Sequence, residues 1–167
     1  IMKNYIYTAC FLLILFSCSE KKSTDDTKET VDKQTIPFTE MVERHIEANL
    51  EIPSLEKYSY KIYKEHLDND TIIDAIITVN RLEFALEEAR KSGNSAKRAE
   101  IGFTGRYNYI FYFDGSLDKI SPAVPVPSSP YAKLSVEFVN LFNKNHKDLI
   151  IDYTIMNARY RNYFAIF

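Results

Sequence analysis

The run "IIDAIITV", Ile72 to Val79, constrains this chain more than any other stretch. Apolar side chains occupy both parities of the run, so a strand built from it must be covered on both faces and belongs at the centre of a sheet. Its β-branched residues favour extended backbone. The alternating "KYSYKIYKE" precedes it, and the two runs predict a hairpin across "HLDND".

Other segments extend this pattern. "IPFTEMVERHIEANLEIP" repeats apolar residues at helical spacing, with Thr39 as its expected N-cap and Pro53 as its stop. "RLEFALEEARKSG" reads as a second helix ending at Gly93, and "NSAKRAEIGFTG" as a loop. "RYNYIFYFDGSLDKI" predicts a hairpin with a tight Asp114-Gly115 turn. "SPAVPVPSSP" holds four of the six prolines and must be an extended surface segment or a sheet edge. "KLSVEFVNLF" and "LIIDYTIMN" predict two further strands joined through "NKNHKD". The expected class is α+β: antiparallel hairpins forming one sheet or a small sandwich, a short N-terminal helix, and one helix between strands. "DTIIDAIITVN" from Asp70 and "DLIIDYTIMN" from Asp148 also share Asp-x-Ile-Ile-Asp, an echo offset by 78 residues, from 70 to 148.

The first 35 residues are of another kind. After Met2 and Lys3, "IYTACFLLILF" is an apolar run well short of the ~20 residues that cross a bilayer, so residues 1–17 read as a signal peptide. Leu15, Phe16, Ser17 and Cys18 resemble the lipobox of bacterial lipoproteins. That resemblance implies acylation of Cys18, cleavage just before it, palmitate incorporation and anchoring in the cell envelope. Ser19, where an inner-membrane retention signal would be aspartate, implies the outer membrane of a Gram-negative bacterium. Cys10 is the rival, but cutting there would leave "FLLILF" on the mature chain. Residues 18–35 form a polar tether without aromatics, whose root-mean-square reach as a flexible coil is roughly 20–25 Å.

With Cys10 removed and Cys18 acylated, no disulfide staples the remainder, so a hydrophobic core must hold it. Residues 36–167 read as a single β-rich domain. The apolar close "RNYFAIF" predicts that it continues past Phe167, with Tyr163, Phe164 and Phe167 exposed or a strand edge unpaired. A net charge of −2 makes no electrostatic case for nucleic acid.

"HLDNDTIIDAIITV" resembles the Asp-rich hairpin loop of FG-GAP and VCBS repeats, which implies a calcium site. By that resemblance Asp68, Asp70 and Asp74 are carboxylate ligands and Ile72 offers a carbonyl, while His66 replaces the first carboxylate and Thr71 the turn glycine. Both departures weaken binding of a hard cation, so any calcium site is weak. The residues themselves read as an Asx-type turn. Tyr107, Tyr109, Phe111 and Phe113 alternate onto one strand face, which suits either core packing or stacking on a carbohydrate or protein ligand. "GFTGR" is a weak Gly-x-x-Gly, and the spacing of Glu43, His45 and Glu47 turns the histidine away from the glutamates. No Walker loop, nucleophile elbow or zinc-protease motif is present. The expected function is a non-catalytic binding or structural module without a resident cofactor. The alternative is the N-terminal part of an exported hydrolase whose catalytic residues lie beyond residue 167.

Overall fold

The computed structural model of the chain describes residues 36–94, 96, 101, 105–142 and 144–166. The segments expected as signal peptide (1–17, with Cys10) and as lipidated cysteine and tether (18–35, with Cys18) lie outside these residues, as do residues 102–104 of "GFTGR" and Phe167. Helix α1 (Phe38–Asn49) gathers Phe38, Met41, Val42 and Ile46 onto one face, and Val42 and Ile46 are buried. Its N-cap is Pro37 and not Thr39. The Phe38 ring packs edge-on to Phe113 at 4.8 Å, and this tertiary contact sets the helix start ahead of the threonine.

Among the described residues eight strands and a second helix follow. They are β1 (Ser59–Glu65), β2 (Asp74–Asn80), α2 (Leu82–Lys91), β3 (Gly105–Asp114), β4 (Lys119–Ile120), β5 (Val124–Ser128), β6 (Ser135–Val139), β7 (Asp148–Ile155) and β8 (Ala158–Phe164). One antiparallel sheet has the order β1-β2-β3, with β4 and β5 both paired to β3. The other has the order β6-β7-β8. The fold is thus α+β and β-rich, with an N-terminal helix.

Two cores make this a three-layer arrangement. Ala75, Ile77, Val79, Phe111 and Phe113 meet α1 on one face of the larger sheet. Ile76, Ile110 and Val126 on its other face meet Leu149, Ile151 and Tyr153 of the smaller sheet. Strand β2 is therefore covered on both sides, as its unbroken apolar run requires. The strand begins at Asp74, however, which leaves Ile72 and Ile73 exposed in the loop before it.

The proline-rich segment becomes the edge strand β5, with Pro125 opposite Tyr109, where a missing N–H costs no ladder bond. The β3–β4 connection is wider than a two-residue turn. Four residues, 115–118, separate the pair Asp114 and Lys119, and Asp114 Oδ1 accepts bonds from the Ser116 and Leu117 N–H groups. At the far end of the chain, β8 pairs with β7 along one edge, Tyr163 is exposed and Phe164 packs on the second core. No helix among the described residues is long and apolar enough to cross a membrane.

Candidate functional site

In the loop 66–73 the carboxylates are occupied by backbone. Asp68 Oδ1 accepts the Asp70 N–H at 2.8 Å, and Asp70 Oδ1 accepts the Ile72 N–H at 2.7 Å, two successive Asx turns. Asp74 is fully buried and accepts the Leu67 N–H at 3.1 Å and the Gly115 N–H at 2.9 Å. Burial, with the carboxylates of Asp74, Asp114 and Asp68 nearby, pushes the Tyr112 phenol up. His66 Nδ1 lies 3.1 Å from the Ile72 carbonyl, so the carbonyl expected as a calcium ligand already has a partner.

Among the described residues no three His, Cys, Asp or Glu side chains gather as a metal set. We predict that calcium at about 10 mM raises the melting temperature no more than magnesium does. The double variant His66→Asp, Thr71→Gly is expected to gain a calcium-specific rise. A calcium-specific rise in the natural chain, lost on Asp70→Asn, would overturn the Asx-turn assignment.

The same hairpin is built twice, but with an offset of 74, from Asp74 to Asp148, in place of the 78 read from the Asp-x-Ile-Ile-Asp echo. Glu65 pairs with Asp74 across the first loop and Val139 with Asp148 across the second. Asp148 Oδ2 accepts the Leu141 N–H as Asp74 Oδ2 accepts that of Leu67. Asn140 Nδ2 donates to the His146 carbonyl at 2.7 Å, matching His66 and Ile72. Leu-x6-Asp-x-Ile-Ile is thus the repeated unit. Its aspartate ties the loop to the strand start, and its first loop side chain spans the loop.

The aromatic row does not offer a stacking platform. Phe111 is fully buried and Phe113 nearly so, both under α1, while Tyr109 packs on the same core and Tyr107 lies against α2. The face they share is the one that α1 needs to bury its own apolar stripe, so packing takes the rings. His45 leaves Glu43 and Glu47 for the Ser121 carbonyl, 3.0 Å from Nε2. The two glutamates accept bonds from Tyr60 and Tyr58 instead. Burial and the neighbouring Glu47 push the Tyr58 phenol up to about 12.

A cleft of about 660 Å³ opens at the opposite end from the Asp-rich loop. No strand β1 residue belongs to the second core, so the smaller sheet leaves that edge of the larger sheet uncovered. The floor is Ser59, Lys61 and Tyr63 of β1, Thr78 and Asn80 of β2, and Asn108 of β3. The wall is Pro130, Tyr131, Lys133 and Leu134, from the β5–β6 connection.

Two asparagines fasten wall to floor. Asn80 Nδ2 donates to Asn108 Oδ1 at 2.8 Å and to the Pro130 carbonyl at 2.9 Å. Asn108 Nδ2 donates to Ser128 Oγ at 2.7 Å, and Asn80 Oδ1 accepts the Leu82 N–H that opens α2.

No carboxylate lines the cleft, and among the described residues neither Lys61 nor Lys133 is in an ion pair. The Lys61 ammonium lies 4.3 Å from the centre of the Tyr63 ring. Such a surface offers cationic donors, amides and tyrosine rings to a polar, negatively charged ligand. Nothing local in the sequence marks it, because its residues come from four segments that only the fold brings together. No family model matches the chain, and no curated protein or solved structure matches it either.

Proposed function

We propose that this chain is a lipid-anchored, non-catalytic binding module of the cell envelope, attached through Cys18 to the outer membrane of a Gram-negative bacterium. Its ligand is a carbohydrate carrying negative charge, taken up in the cleft between Lys61 and Lys133. The observation that carries the reading is the cleft itself, which has two lysines, three exposed or half-exposed tyrosines (Tyr60, Tyr63 and Tyr131) and no carboxylate. The lipobox resemblance supports the anchor, since the acylated cysteine would stand before a polar stretch, and the first element among the described residues starts at Phe38.

Two experiments test it. Titration of acidic oligosaccharides followed by calorimetry should give binding that Lys61→Ala and Lys133→Ala each weaken about tenfold, the value of one charge-assisted hydrogen bond. Equal affinity for the natural chain and the double variant would remove the cleft from the reading. Palmitate labelling should be lost in Cys18→Ser and kept in Cys10→Ser, and the reverse pattern would move the anchor.

A further inference from the structure

Three loops at the end opposite the cleft hold large apolar side chains out to solvent. Phe142 is 80% exposed, Leu117 is 70% exposed, and Ile72, Ile73 and Leu141 are about half exposed. The loops adjoin one another. A Cβ on Gly115 would collide with the Ile73 carbonyl, and the Lys147 N–H donates to the Leu67 carbonyl at 2.8 Å. The Lys147 ammonium also pairs with Glu65 at 2.9 Å and holds that carboxyl below the usual range.

Nor are these loops free to fold their apolar side chains inward. Asp148 Oδ2 accepts both the Leu141 and Phe142 N–H groups, and Asp74 accepts that of Gly115. The backbone is pinned while the side chains point outward, an arrangement that marks an interaction surface.

The first described residues enter at this same end. Phe38, at the start of α1, packs on Phe113 and lies under the Lys64 ammonium, 5.2 Å from its ring centre. Phe113 and Lys64 are each one residue from the end of their strand, where the loops begin. In the sequence the polar stretch from Cys18 to Thr35 immediately precedes this point, so the proposed anchor lies only 20 positions from Phe38 (18 to 38).

We propose that this end docks on the phospholipid surface in which the chain is anchored, with Phe142, Leu117, Leu141, Ile72 and Ile73 entering the headgroup boundary. The proposal rests on the lipid-anchor reading for its choice of occupant. Lysines 64, 119 and 144 stand among Asp68, Asp70 and Asp118, so neither sign of charge dominates, and apolar burial carries the adhesion. Docking in this way turns the Lys61–Lys133 cleft away from the bilayer, toward soluble ligands.

The chain has no tryptophan, so single Trp substitutions report on chosen positions. The test uses the chain from residue 18 onward with Cys18→Ser, which carries no lipid and contains both cores described above. With vesicles of zwitterionic phosphatidylethanolamine and phosphatidylcholine, Phe142→Trp and Leu117→Trp should show blue-shifted emission and protection from aqueous quenchers. Leu55→Trp, at the cleft end and 93% exposed, should show neither. Phe142→Asp and Leu117→Asp should each lower vesicle partitioning about tenfold or more, with little dependence on salt.

Unchanged emission at all three positions would overturn the proposal, as would a shift at Leu55→Trp equal to the others. Binding confined to anionic vesicles and abolished by salt would overturn it too. A concentration-dependent blue shift without vesicles would assign the end to a second copy of the chain and overturn it. Insertion at Phe142 and Leu117 in a protein whose Cys18 fails to label would sink the anchor and leave the docking surface standing.

Discussion

Replacing Arg81 by alanine is expected to lower the free energy of unfolding by about 3–5 kcal/mol, measured by urea denaturation, because it strands a buried carboxylate. Arg81 grips Glu56 with two bonds of 2.6 Å each, and the two side chains are only 9% and 6% exposed. The guanidinium also lies 4.3 Å from the centre of the Phe84 ring and is raised further above its usual value by the Glu56 bonds. Through this pair the segment after α1 is clamped to the junction of β2 and α2. Removing both charges should cost less than removing one: Glu56→Gln with Arg81→Met leaves no unpaired charge behind and should recover most of the loss. A change for Arg81→Ala within about 1 kcal/mol, the size expected of an exposed pair, would show that the clamp is solvated.

Asp74→Ala is expected to cost about 2–6 kcal/mol. The substitution leaves the Leu67 and Gly115 N–H groups without their acceptor, at roughly 1–3 kcal/mol for each donor buried unpaired. Asp70→Ala is the internal control. Its carboxylate makes one exposed bond, to the Ile72 N–H, and the loss should stay near 0.5–1.5 kcal/mol. Thermal or urea unfolding of the two variants side by side decides the matter, and equal losses would sink the claim that Asp74 is the anchor of both loops. Asp148→Ala, which frees the Leu141 and Phe142 N–H groups in the second hairpin, should fall between them.

Much of the fold was legible because it depends on short-range pattern. The runs at 57–65 and 72–79, the helices at α1 and α2, and the strands β3, β6 and β7 each declare themselves by a period of two or near four, and β5 by prolines that only an edge tolerates. Boundaries failed where tertiary contacts intervene. Phe38 starts α1 early because Phe113 is waiting for it, and Asp74 starts β2 late because its carboxylate is needed to hold the Leu67 and Gly115 backbone.

The internal echo was visible, but in the wrong register. Matching letters put Asp70 opposite Asp148. The hydrogen bonds put Asp74 there, since a carboxylate seven residues after a leucine N–H is what closes the loop.

The class, the central place of "IIDAIITV" and the composition of the leading segment follow from residue order alone. Packing is what makes Phe111 and Phe113 core, joins Glu56 to Arg81 across 25 positions, and brings Lys61 and Lys133 into one cleft. The difference is one of range. Backbone preference and amphipathic period act over a few residues and can be read from neighbours. Which face is covered, which charge finds a partner and which side chain is left outside depend on how sheets and helix stack, and that is settled by the whole chain burying its apolar surface at once.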